Sequence, residues 1–191
     1  QQCFTVEAQK QSFFETKGGS FFVFKPNSFE TEYSLPVDKN VTICIWEFQK
    51  KKDMIVSQVS SVAENKVLET ASTFYIQCYL GDKKVQLKEG RNYKIYLNRE
   101  KDIEGFRAYY GKVRDGNVVW IEDKMSYTYF SILDQDELRK STNAKKDSLR
   151  ILKIDKNTPK ERKQLLLSVK NMGWINCDRI GPVNEPITIA N

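Results

Sequence analysis

Short segments in which apolar residues occupy every second position dominate this 191-residue chain. Residues 73–80 show the alternation most clearly, and residues 93–97 repeat it. A period of two is the period of a β-strand, because successive side chains of a strand point to opposite faces. The chain is therefore expected to be built from strands.

Turn-forming residues separate these segments, as at Pro26-Asn27, Gly81-Asp82 and Asp115-Gly116-Asn117. We predict strands at 20–25, 41–48, 54–62, 73–80, 84–87, 93–97, 106–110, 118–121 and 127–133. Helical periodicity is almost absent. The sequence thus predicts an all-β fold, a β-sandwich of roughly seven to ten short, mostly antiparallel strands.

One basic stretch interrupts this pattern. Residues 139–163 contain ten Lys or Arg and three acidic residues, a net charge of +7 in a chain whose total is +6. We interpret residues 134–163 as a basic, partly helical or irregular insertion, with helix starts at residues 134–137 and 158–161. Residues 165–169 are expected to form a strand. Residues 1–180 are predicted to be one domain, and 181–191 a C-terminal tail or linker.

The chain contains no histidine. This excludes Ser-His-Asp and Cys-His catalysis and histidine-ligated zinc, so we expect a non-enzymatic protein with no cofactor and no metal. A carboxylate-dependent, glycosidase-like hydrolase is the alternative, with Glu122-Asp123 or Asp134/Asp136 as its acid pair.

Membrane and nucleic-acid functions are not expected either. No apolar run approaches the ~20 residues of a transmembrane helix. The basic stretch lacks the aromatic residues that stack on nucleic-acid bases, so we predict no nucleic-acid partner.

Cys3, Cys44, Cys78 and Cys177 lie far apart, without a C-x-x-C pair. Buried free thiols are favoured, because Cys78 lies on the apolar face of residues 73–80. One or two disulfides are the alternatives.

Two sets of residues are candidate surfaces. Tyr109, Tyr110 and Trp120, near Tyr127 and Tyr129, are a candidate aromatic contact surface for sugars or proteins. Trp174, Asn176, Asp178 and Arg179 are a candidate binding surface or structural lock at a domain edge. There Asp178 and Arg179 can form charge-assisted hydrogen bonds, and Asn176 can hold a turn.

The second set belongs to a recognisable motif. Residues 173–179, Gly-Trp-Ile-Asn-Cys-Asp-Arg, resemble the signature of a family of exported Bacteroidetes proteins of unknown function. Weaker similarity to that family runs from about residue 11 to residue 180 and includes residues 24–29, 46–55, 68–76 and 106–120.

Membership would imply a β-sandwich and export to the periplasm, the outer membrane or the cell exterior, with no known activity. We therefore expect a secreted or cell-envelope module. It would contact envelope proteins or glycans, or support a larger surface protein.

Overall fold

The structure, a computed structural model, describes residues 1–48, 62–63, 66–97, 105–114, 116–124, 127–134 and 161–180. These residues form fourteen strands, and no helix occurs among them. In chain order the strands are β1 (Gln2–Glu7), β2 (Ser12–Glu15), β3 (Phe21–Phe24), β4 (Phe29–Glu30), β5 (Asn40–Phe48), β6 (Val62–Ala63), β7 (Lys66–Leu80), β8 (Lys83–Leu87), β9 (Tyr93–Leu97), β10 (Arg107–Arg114), β11 (Asn117–Glu122), β12 (Tyr127–Asp134), β13 (Glu161–Val169) and β14 (Gly173–Ile180).

The strands pair into two antiparallel sheets. Sheet A has nine strands, of which six follow the order β1-β5-β7-β14-β10-β11, with β8 also paired to β7. Sheet B has five strands in the order β12-β13-β9-β3-β2. Because neighbours in space are mostly distant in sequence, the strand order could not be derived from the alternation of residues alone.

The main hydrophobic core lies between the two sheets. Sheet B contributes Phe22 and Phe24, and sheet A contributes Ile43, Phe74 and Ile175. The rings of Phe22 and Phe74 meet edge to face across the interface, with centroids 5.4 Å apart. Two sheets that share one core form a β-sandwich, which confirms the predicted fold class.

Most predicted strands are confirmed to within a few residues, including residues 165–169, which belong to β13. The predicted helix start at 158–161 is wrong at Glu161, which begins β13; residues 158–160 lie outside the described residues. Most of the predicted strand 54–62 and of the insertion 134–163 also lies outside them. β1, β2 and the two-residue β4 were missed, and the strand number was underestimated.

Cys3 and Cys44 form a disulfide, whereas Cys78 and Cys177 are buried free thiols. The expectation of free thiols is therefore wrong for the first pair. Cys3 in β1 lies directly opposite Cys44 in β5, and directly paired residues of antiparallel strands are close enough to be bridged. The partners are 41 residues apart, so their pairing becomes visible only with the strand register.

The long strand β7 contains an irregularity opposite the signature motif. Cys177 pairs with Ser72, but Asp178 pairs with Thr70, so Ala71 is an extra residue in β7. Such a bulge bends its strand and increases its twist. Beyond it, the start of β7 pairs with β6, which lies close to β11.

Candidate functional site

A row of aromatic residues crosses the outer face of sheet A, the face that points away from sheet B. Trp46 in β5 pairs with Tyr75 in β7, and Tyr75 pairs with Trp174 in β14. The row continues through Gly111 in β10 to Trp120 in β11. Ring centroids are 5.4 Å apart for Trp46 and Tyr75 and 4.7 Å apart for Tyr75 and Trp174.

Gly111 makes room for the two indoles at the far end of this row. A Cβ at this position would lie 2.5 Å from Val118 Cγ1 and 2.6 Å from Trp174 Cβ. Without it, the rings of Trp174 and Trp120 meet edge to face, with centroids 6.4 Å apart. The absence of a side chain at residue 111 therefore lets the aromatic row continue from Trp174 to Trp120.

A buried polar network occupies the next positions along the same face. The Thr73 hydroxyl donates to Asn176 Oδ1 over 2.8 Å, and Asn176 Nδ2 donates to Asp178 Oδ2. Thr70 makes a further side-chain hydrogen bond with Asp178. Thr73, Asn176 and Asp178 are almost completely excluded from solvent. The hydrogen bonds of Thr73 with Asn176 and of Thr70 with Asp178 join β7 to β14 and fix the two strands in one register.

Asp178 is the electrostatically unusual member of the network. Burial disfavours its charged form and raises the pKa of the carboxyl from 3.8 to about 7, while the hydrogen bond with Thr70 acts in the lowering direction. Its Oδ1 atom is buried and has no hydrogen-bond partner among the described residues. The carboxyl is thus poised between two protonation states near neutral pH.

Arg179 points away from this network. Its Nε donates to Glu69 Oε2 over 2.8 Å, and its guanidinium lies 5.1 Å from the centroid of the Phe106 ring. The charge-assisted hydrogen bond between Arg179 and Glu69 joins β14 to β7.

The structure thus separates the four signature residues. Trp174, Asn176 and Asp178 share the outer face of β14, and Arg179 lies on the opposite side. They lie on an inner strand of sheet A, because β14 is paired with β7 on one side and β10 on the other. Asn176 holds no turn, since it lies within a strand and bonds to neighbouring side chains. All four contact neighbouring residues of sheet A.

The predicted aromatic contact surface is wrong as an exposed surface. Trp120 exposes 0 % of its surface and Tyr109 is also buried, in a small cluster on the outer face of sheet A. Tyr110 is half-buried and packs against the main core. Both faces of β10 and β11 are covered near Trp120, so alternation did not reveal which aromatic residues reach solvent.

The structure instead places a half-exposed stripe at the other end of the aromatic row. We call Trp46, Tyr75, Gln77 and Tyr79 the outer stripe; all four are half-buried. Tyr79 Oη donates to Gln77 Oε1 over 2.5 Å, and Gln77 Nε2 donates to Tyr75 Oη over 2.8 Å. The sequence contained a signal for it, since these tyrosines and glutamine occupy the odd positions of residues 73–80.

The proposed acid pairs do not define a catalytic centre. Glu122 is exposed and lies 3.6 Å from Arg107 Nε, whereas Asp123 is buried and accepts a hydrogen bond from Asn171. Asp134 ends β12, and Asp136 lies outside the described residues. Within the described ranges, no group of three or more Cys, Asp or Glu residues is placed to hold a metal ion.

Comparisons with known proteins found no matching family model, no matching curated protein and no matching solved structure. A search of the described residues for a helix long and apolar enough to cross a membrane found none.

Proposed function

We propose that this chain is a non-enzymatic module of an exported protein, and that it works by contacting a protein or a glycan of the cell envelope. The outer stripe is the observation that carries the proposal. It presents three large aromatic side chains and an amide, partly open to solvent, on a well-packed sheet. Aromatic residues with a polar atom at the tip contribute disproportionately to binding surfaces.

The disulfide supports a location outside the cytosol. Bonds such as Cys3–Cys44 form and persist in oxidising compartments and are rare in the cytosol. The similarity of residues 173–179 to the signature of exported Bacteroidetes proteins supports the same location, in the periplasm, at the outer membrane or in the extracellular space.

The absence of histidine supports a contact function over catalysis, because the side chain most often used for proton transfer is missing from the whole chain. The signature residues fit a scaffold role: Asn176 and Asp178 join β14 to β7 from one side, and Arg179 from the other. A rigid scaffold of this kind also suits support of a larger surface protein.

One observation favours the alternative, a carboxylate-dependent hydrolase. A pKa of about 7 for Asp178 is the property of a general acid that works near neutral pH. Its burial among Asn176 and Thr73 argues against contact with a substrate. Asp178-dependent hydrolysis of a panel of chromogenic glycosides between pH 5 and 8 would favour the hydrolase and contradict the proposal.

A binding experiment tests the contact function directly. The purified, disulfide-bonded chain is labelled and mixed with cell-envelope fractions of the organism that makes it, and the co-sedimented fraction is measured over a range of concentrations. We expect saturable binding that weakens in Trp46→Ala. The matched control is Phe13→Ala, which removes a half-buried ring from the outer face of sheet B.

The result that contradicts the proposal is equally clear. Absence of saturable binding to any envelope fraction, with the chain correctly folded and oxidised, would refute a contact function. Trapping of free thiols in intact cells tests the compartment separately, because a cytosolic chain would carry Cys3 and Cys44 in the reduced form.

A further inference from the structure

We infer that the outer stripe is a binding site for a neutral oligosaccharide. This inference rests on the proposed function and narrows it from contact in general to one class of ligand. It assigns stacking to Trp46 and Tyr75, beside the half-buried Trp174, and hydrogen bonding to Gln77 and the hydroxyls of Tyr75 and Tyr79.

The aromatic side chains are placed to cover sugar rings. Trp46 and Trp174 flank Tyr75 on the two neighbouring strands, so the three residues extend over two interstrand spacings, roughly 10 Å in all. Their rings are tilted by 56° and 40° with respect to each other. They form a twisted surface, which suits a chain of several sugar units better than a single flat molecule.

The polar atoms of the stripe supply hydrogen bonds beside the rings. The chain from Tyr79 through Gln77 to Tyr75 uses one amide proton of Gln77 and the hydroxyl proton of Tyr79. The second amide proton of Gln77 and the hydroxyl proton of Tyr75 have no acceptor among the described residues. Sugar hydroxyls are both donors and acceptors, so they can satisfy these groups while the rings stack.

The stripe has no charged side chain, and this favours a neutral ligand. The outward positions of β5 from residue 42 to 48 and of β7 from residue 73 to 79 carry no charged side chain. Among the described strands, the nearest charged residue in register is Lys84, which pairs with Tyr79 at the end of the stripe. A charged group over Trp46, Tyr75 or Gln77 would lose hydration without gaining an ion pair, and only an anionic group at the Tyr79 end would meet Lys84.

Backbone pairing argues against an extended peptide as the occupant. β5 pairs with β1 and β7, and β7 pairs with β5 on one side and with β14 and β8 on the other. Among the described strands, no edge is free beside Tyr75 and Tyr79, so a peptide cannot join the sheet there by β-augmentation. An occupant of this part of the stripe must be recognised by side chains, and these side chains combine rings with uncharged donors.

The test uses the oxidised chain and an array of neutral oligosaccharides with gluco, galacto, manno and xylo configurations. Positive ligands are then titrated in solution, with intrinsic tryptophan fluorescence as the readout. We expect Trp46→Ala and Gln77→Ala each to weaken binding about tenfold, which corresponds to roughly 1.4 kcal/mol. Tyr79→Phe removes one hydroxyl while keeping the ring, and should weaken binding by a smaller factor. Phe13→Ala should leave affinity unchanged.

Two results would overturn the inference: no binding to any neutral oligosaccharide, or binding that survives both Trp46→Ala and Gln77→Ala. Circular dichroism and thermal unfolding verify that each variant is folded, and Tyr79→Phe provides a test that hardly disturbs packing.

Envelope fractions treated with periodate or protease distinguish failure of the oligosaccharide inference from failure of the proposed contact function. Envelope binding that resists periodate but is lost after protease digestion would preserve a contact function and replace the glycan with a protein.

Discussion

Replacing Asp178 by Asn should make the stability of this protein much less dependent on pH. The folded state raises the pKa of the Asp178 carboxyl from 3.8 to about 7, mainly because burial disfavours the charge. One pKa unit corresponds to about 1.4 kcal/mol, so the ionised carboxylate costs the folded state roughly 4 kcal/mol at most. The residue is 0 % exposed, so solvent does not screen the charge of its carboxylate.

The direction follows from proton linkage. Between pH 4 and pH 7 the folded state holds the Asp178 proton and the unfolded state has lost it. The contribution of this group to the free energy of unfolding therefore falls as pH rises through that interval, and is flat above it. The amide introduced by Asp178→Asn stays neutral throughout and can still accept from Asn176 and Thr70. The variant should match the wild type most closely near pH 4 and exceed it increasingly up to about pH 7, above which the difference levels off.

Urea unfolding at 25 °C, followed by tryptophan fluorescence at half-unit steps from pH 4 to pH 8, measures this effect. Trp120 is fully buried and reports loss of the fold. The quantity of interest is the difference between the two pH profiles, because a constant offset from the new amide cancels in it. Asp38→Asn, at an exposed position, controls for the loss of one negative charge. Parallel profiles for wild type and Asp178→Asn would refute the assignment of a buried carboxyl with a raised pKa.

Three further variants and one chemical treatment test other contacts. Gly111→Ala should destabilise the fold by about 1–3 kcal/mol, because its Cβ would overlap Val118 and Trp174; an unchanged melting temperature would contradict the close approach. Trp120→Ala should cost about 3–5 kcal/mol in urea unfolding as a core truncation, and little loss of stability would mean that the indole is not buried. The native protein should not react with a thiol reagent, because Cys78 and Cys177 are buried and burial raises the pKa of Cys78; unfolding without reductant should expose two thiols, and any other number would contradict the pairing. Cys3→Ser together with Cys44→Ser should lower stability by about 4 kcal/mol at most, as the closed loop of 41 residues implies; an unchanged urea midpoint would show that the bond does not constrain the unfolded chain.

The fold class was predictable from sequence because side-chain alternation and turn residues are local. The strand predicted at residues 93–97 matches β9 at both ends. β1 was missed because only Phe4 and Val6 mark its core-facing side, which is too short an alternation to predict a strand. The disulfide and pairing with β5 hold it in place. Strand order depends on contacts between residues far apart in the chain, which alternation does not encode.

The candidate site was only partly predictable, for a related physical reason. The motif around Trp174 identified residues that form a buried network, but not that β14 would be an inner strand. Trp120 and Trp46 are similar in local sequence context, yet one is fully buried and the other is half-exposed. Burial on the outer face depends on what covers each part of the sheet, so the exposed aromatic residues were assigned to the wrong strands.

The disulfide also determines how the protein responds to mechanical force. Tension applied at Gln1 reaches Cys3 after two residues and passes through the sulfur atoms to Cys44 in β5. β1 cannot be unzipped from the sheet one hydrogen bond at a time while that bond is intact. The load instead falls on β5, which is held by neighbours on both sides. A module anchored through this end would resist shear far better in its oxidised form than in its reduced form.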